Sequence, residues 1–101
     1  MKHLNEKNFA NETKAGIVLL DLFATWCGPC RIQSAVLEEV VKTRPDMNIA
    51  KVDVDENPNI ARSFGVMSIP TLILLKDGKM VNKHVGLMQS DDLIKFYDSV
   101  K

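Results

Sequence analysis

The residues of this chain best suited to chemistry are its only two cysteines, Cys27 and Cys30, set in Ala24-Thr25-Trp26-Cys27-Gly28-Pro29-Cys30 beside its only tryptophan. Two thiols this close can close a disulfide ring if the backbone between them curves tightly, and Gly28-Pro29 favours such a bend. The pair can then open and close cheaply, which is redox chemistry. An apolar run, Ile17 to Phe23, precedes the stretch and a helix-patterned run follows it, so the cysteines are expected where a strand hands over to a helix. Unpaired N–H groups and the positive end of the helix dipole favour an anion there, so Cys27 is expected to be acidified and partly thiolate near neutral pH. Cys30, one turn further in, is expected to be more buried and less acidic. The competing reading, half of a zinc site, lacks ligands. A closed site takes four, and the only histidines, His3 and His84, do not stand at ligand spacing.

Two charged residues stand where the pattern is otherwise apolar. Asp21 interrupts Ile17-Val18-Leu19-Leu20-Asp21-Leu22-Phe23, a run apolar on both faces like the central strand of a covered sheet. Aspartate is depleted from strands, so burial near the site is favoured over a strand end facing water. Lys51 lies centrally in the next β-run, Asn48 to Val54, and is either a solvated edge lysine or a partner for Asp21.

The elements that must position these residues follow from periodicity and punctuation. Leu4 belongs to a short edge strand, and Asn5 is a candidate cap for a helix from about Glu6 to Lys14 that buries Phe9. Beyond Cys30, Ile32, Val36, Leu37, Val40 and Val41 recur at helical spacing, and Pro45 stops that helix. Its place between two β-runs implies a right-handed parallel crossover. Asn57-Pro58 is a cap followed by proline at the first helical position, with Gly65 closing that short helix and Phe64 packing inward. Thr71 to Leu75 and Met80 to Val85 flank Asp77-Gly78 as an antiparallel hairpin. Ser90 is a candidate cap for a last helix with Asp91 and Asp92 in its first turn and Leu93, Ile94, Phe96, Tyr97 and Val100 on its apolar face. The order β-α-β-α-β-α-β-β-α predicts an α/β fold, a central mixed five-stranded sheet with helices on both faces. Open α/β sheets gather ligand chemistry at the C-terminal edge of their parallel strands, where Trp26 to Cys30 emerges.

Bulk properties bound the function. At 101 residues, 46% hydrophobic and 26% charged, the chain fits a single domain over 1–101 with one core. Thirteen basic and thirteen acidic residues leave no net charge, which excludes a basic nucleic-acid or anionic-membrane footprint. The N-terminus lacks an apolar signal core and no run suits a membrane span, so a cytoplasmic location is expected. In a reducing compartment a lone cysteine pair is more plausibly catalytic than a structural staple.

Taken together, Trp26 to Cys30, Asp21 six residues before Cys27, and Ile69-Pro70-Thr71 downstream resemble the thioredoxin family, and Phe9, Lys51, Asp55, Gly78 and Gly86 fall in matching order along nearly the whole chain. The resemblance implies the thioredoxin fold and a protein-disulfide reductase. Cys27 would attack a client disulfide and Cys30 would resolve the mixed disulfide, with Asp21 and nearby Lys51 assisting Cys30 as base. It implies a cis Ile69-Pro70 bond facing the cysteines. Trp26, Gly28, Pro29, Met67, Ile69, Pro70, Gly86 and Leu87 would form the substrate-binding face. No cofactor or metal is expected on this chain; NADPH and FAD would sit on a partner thioredoxin reductase, and the chain itself is expected to be monomeric. Three departures bear on partner choice. Ala35 replaces a kinking proline, which predicts a straighter helix; Phe23 replaces a tryptophan common in bacterial relatives; and Met67 stands where a polar residue is frequent. Two other classes remain: a thiol oxidase or isomerase, disfavoured because Gly-Pro suits the reductase, and a redox-independent binding subunit.

Overall fold

The run Ile17–Phe23 forms strand β2, and its five inner residues, Val18 to Leu22, are all buried. A strand this apolar needs cover on both faces and neighbours on both edges. The computed structural model describes residues 1–100 and supplies them. Strand β3 (Ile49–Asp53) pairs with β2 in parallel, and β4 (Thr71–Lys76) pairs with its other edge antiparallel. The edges are completed by β1 (Lys2–His3) beside β3 and β5 (Lys79–Val85) beside β4, giving the order β1-β3-β2-β4-β5.

Alternation along each strand sorts the core into two layers. Val18, Leu20 and Leu22 join Val52, Ile73 and Leu75 under helices α1 (Phe9–Thr13) and α3 (Pro58–Ser63), with Phe9 and Phe64 at their rim. Leu19 and Ile49 join Leu72 and Leu74 beneath α2 (Gly28–Thr43) and α4 (Ser90–Asp98), meeting Leu37, Val40, Leu93 and Tyr97. Asp21 and Lys51 are in phase with Leu19 and Ile49, so both side chains lie on the α2 side, directly paired in register. In the hairpin turn, Asp77 at φ 51° and Gly78 at φ 82° meet the double positive-φ requirement of a tight turn. Arg44 ends α2 and binds Asp46 and Asp98, tying that end to α4.

Several local expectations are corrected. Asn5 caps a preceding turn, accepting from the Lys7 and Asn8 amides, and regular helix starts only at Phe9. Asn57 occupies the N-cap position of α3 ahead of Pro58 as expected, but its side chain makes no capping bond; it accepts from the Glu6 amide, while the Glu6 carboxylate accepts from the Asn59 amide near the start of α3. Residue 89, not Ser90, occupies the cap position of α4. On α2, Ile32 faces solvent and Gln33 is buried. With Cys30, Leu37 and Val40 facing the sheet, Ile32 stands about 200° around the helix from Cys30.

Leu37, fully buried against this layer, is the contact that seats α2 on the sheet. Leu37→Ala is expected to lower unfolding free energy by about 2–5 kcal/mol in urea titrations. A loss below about 1 kcal/mol would show that α2 is held elsewhere.

Candidate active site

The strand-to-helix handover delivers Cys27 to the N-cap of α2, with extended backbone and its Sγ accepting the Cys30 amide at 3.2 Å. Pro29 sits in the first helical turn, where its missing N–H costs nothing. Cys27 and Cys30 are joined in a disulfide with Cα atoms 5.3 Å apart. The sulfur of Cys27 thus occupies the place where a helix N-terminus best accommodates negative charge. In this disulfide state Cys27 is 5% exposed and Cys30 3%, so Cys30 is the more buried by a small margin and Cys27 is itself covered. Phe23, Val54 and Ile69 pack against Ala24 and the cysteines and supply that cover.

Lys51, which borders a cleft with Cys30, pairs with Asp21. Asp21 is fully buried, and neither carboxyl oxygen has a hydrogen-bond partner among the described residues. Lys51 Nζ stands 3.7 Å from Oδ2, close enough for charge attraction. That ammonium is held elsewhere as well, by a hydrogen bond to Ser34 Oγ and by the face of the Phe23 ring 4.6 Å from its centroid. Burial raises the Asp21 pKa to about 6, and the attraction of Lys51 only partly opposes it. A cleft of about 220 Å³, bordered by Cys30, Ser34, Phe23 and Lys51 among others, opens this region to solvent.

On the other side of the disulfide, the Ile69-Pro70 bond is cis, and the Ile69 carbonyl oxygen lies 4.0 Å from Cys27 Sγ. Trp26 is 70% exposed, with its indole N–H donating to Asp55 at 2.8 Å. Trp26, Met67 and Ile69 border an apolar cleft of about 150 Å³ together with Val54, Ala61 and Val66. Met67 is almost fully exposed. Gly86, at φ 99°, donates its amide to the Pro70 carbonyl at 2.8 Å and so brings the segment after β5 against Pro70. Leu87, 37% exposed, follows it and does not border the tryptophan cleft. Gly28 and Pro29 are exposed beside the cysteines.

Sequence reasoning passed over Gln33, Ser34 and the contact of Asp55 with Trp26. For Gln33 a signal existed: a polar side chain in phase with Cys30 and Leu37 on an apolar helix face needs a buried partner. Among the described residues no group of three or more His, Cys, Asp and Glu side chains could hold a metal ion.

The thioredoxin family model matches residues 1–99 of the chain. The chain is 49% identical over 92 residues to the thioredoxin of Chlamydia trachomatis, covering 91% of this chain and 90% of that one. It is 48% identical over 94 residues to the thioredoxin of Listeria monocytogenes, with 92% and 91% covered. A solved mutant thioredoxin from Halobacterium salinarum superimposes with a TM-score of 0.89 at 36% identity, covering 97% of this chain and 88% of that one. The chain belongs to the thioredoxin family. It has the thioredoxin fold and is a thiol-disulfide oxidoreductase that reduces protein disulfides by dithiol-disulfide exchange through Cys27 and Cys30, with a thioredoxin reductase to recycle it.

This thioredoxin-family chain carries a pH-dependent cost at Asp21. Its folded pKa of about 6 lies above the ordinary aspartate value of 3.8, so between those values the native state binds more protons than the unfolded chain. Stability therefore falls as pH rises through that window and is lower by a constant amount, roughly 3 kcal/mol, above it. Asp21→Asn removes the charge and keeps the shape. It is expected to stabilise the protein at pH 7 by up to roughly 3 kcal/mol and to change little at pH 4. Urea melts of both proteins at the two pH values check this, and an equal effect at both would mean that folding does not raise the carboxyl's pKa.

Proposed function

We propose that the chain works as a single monomeric domain over residues 1–101 in the cytoplasm, with Cys27 as attacking thiol, Cys30 as resolving thiol and Asp21 as the base for Cys30. The Cys27 thiolate attacks one sulfur of a client disulfide. That bond breaks, a mixed disulfide forms, and the client's other sulfur leaves as thiolate and takes up a proton. Cys30 then loses its proton towards Asp21 and attacks Cys27 Sγ; the second client sulfur leaves, and the Cys27–Cys30 bond closes. Two electrons have passed to the client. The observation that carries this reading is the Cys27 sulfur at the N-cap of a sixteen-residue helix, hydrogen-bonded by the Cys30 amide, while Cys30 lies inside the first turn.

Asp21 suits its role because a carboxyl with a pKa of about 6 is about nine-tenths ionised at pH 7 yet remains basic enough to accept a thiol proton. Lys51 keeps that carboxylate from being wholly suppressed by burial. The client lies in extended form across Trp26, Gly28, Pro29, Ile69 and Pro70, with Met67 and Leu87 as apolar flanks and Gly86 leaving room for its backbone. This chain holds no cofactor. The reductase draws its electrons from NADPH through FAD and returns two of them to the Cys27–Cys30 disulfide, while neutral net charge leaves recognition to shape and apolar contact rather than to nucleic acid or a membrane.

Reduction of insulin by the protein, coupled to a reductase and NADPH, tests the activity. The division of roles is tested by trapping: Cys30→Ser is expected to accumulate mixed disulfides with clients, stable to non-reducing electrophoresis, and Cys27→Ser to capture none. Equal trapping by both variants would overturn the assignment. Asp21→Asn is further expected to slow the resolving step about 10- to 100-fold at pH 7 in single-turnover measurements while leaving the first attack little changed. An unchanged resolving rate would make Asp21 a bystander.

A further inference from the structure

Gln33 lies one turn beyond Cys30 on the sheet-facing side of α2, and its side chain is completely buried. An amide in that position must find partners inside the protein. It finds both in one residue: the Met88 amide donates to Gln33 Oε1 at 2.8 Å, and Gln33 Nε2 donates to the Met88 carbonyl at 3.1 Å. A side chain here gives Met88 the double pairing that a neighbouring strand would otherwise give. Met88 belongs to the short segment between β5 and α4, whose other end is fixed by the Gly86 amide donating to the Pro70 carbonyl. Leu87 stands between these two anchors and is more than one-third exposed. One anchor is the loop beside Cys27, and the other is the helix that carries Cys30.

We propose that Gln33 is a positioning residue that fixes the Gly86-Leu87-Met88 segment against the cysteine pair and thereby sets affinity for protein disulfides, without taking part in sulfur exchange. This rests on the reading of Gly86 and Leu87 as docking residues. A side chain that cannot make both bonds leaves the Met88 N–H and C=O buried and unpaired, so the segment must shift to satisfy them and Leu87 moves with it. Cys27 and Cys30 are held by the first turn of α2 and stay in place. A small disulfide needs only the sulfurs, whereas a protein client also needs the segment. The signature of Gln33 is therefore selective.

The test mixes pre-reduced protein in a stopped-flow instrument with either insulin or hydroxyethyl disulfide and follows oxidation by Trp26 fluorescence. Gln33→Leu is expected to raise the half-saturating insulin concentration about tenfold, with an unchanged limiting rate and an unchanged rate constant for hydroxyethyl disulfide. Gln33→Glu supplies a second handle should the leucine variant fold poorly. A protonated carboxyl can accept from the Met88 amide and donate to its carbonyl, and an ionised one cannot donate. Its insulin half-saturation is expected to match the parent at about pH 5 and to exceed it at about pH 8, each compared at the same pH. Leu87→Glu separates the two layers of the argument. If it weakens insulin docking while neither Gln33 variant does, the positioning role is overturned and the docking reading stands. If none of the three weakens docking, both are overturned. Equal slowing of insulin and hydroxyethyl disulfide in Gln33→Leu also overturns the proposal, since the sulfur chemistry itself would then depend on Gln33.

Discussion

The structure depends on one placement: the Cys27 sulfur at the N-cap of α2, accepting the Cys30 amide. The activation of the attacking thiol follows from it. A thiolate there is stabilised by backbone groups that would otherwise be unpaired, with no charged side chain required beside it. To hold a sulfur at that point the chain needs a rigid strand leading in and a firmly seated helix leading out. The buried β2 and the Leu37–Val40 contact of α2 meet those needs. The disulfide partner then arrives by helical geometry alone, since the third residue of the first turn comes back towards the cap.

The price of this arrangement is a carboxyl in the core. Asp21 lies on the α2 side of the central strand, where an apolar residue would be more stable. Lys51, in register beside it, moderates the cost but is shared with Ser34 and the Phe23 ring, so the carboxyl keeps a pKa of about 6. A tighter pairing would make Asp21 a weaker base, and removing Lys51 would let burial push its pKa further up. The loose 3.7 Å geometry lies between these limits, and a buried carboxyl that packing alone would not retain supports the proposal that Asp21 serves as the base for Cys30.

Much of this was legible in the sequence because it is written in local rules. The apolar run around Asp21 announced a covered central strand, Asp77-Gly78 a tight hairpin turn, and Gly28-Pro29 between cysteines a closed ring at a helix start. What escaped depends on tertiary partners. Gln33 in place of Ile32 on the inner face of α2 is a matter of helical phase, set by which residue must meet Met88. The N-terminus of α3 is satisfied by Glu6 from across the chain, which no scan for a neighbouring cap can detect. The burial of Cys27 comes from Ile69, Val54 and Phe23, residues that the fold, not the sequence order, brings to it.

The most direct test of the account is the pH dependence of alkylation of the reduced protein by iodoacetamide, with the modified cysteine identified by peptide mass mapping. Placement of the sulfur at the helix N-cap predicts that Cys27 reacts first, with a midpoint well below the ordinary thiol value of about 8.5. A midpoint at or above that value, or modification of Cys30 ahead of Cys27, would contradict the claim that the N-terminus of α2 activates this thiol.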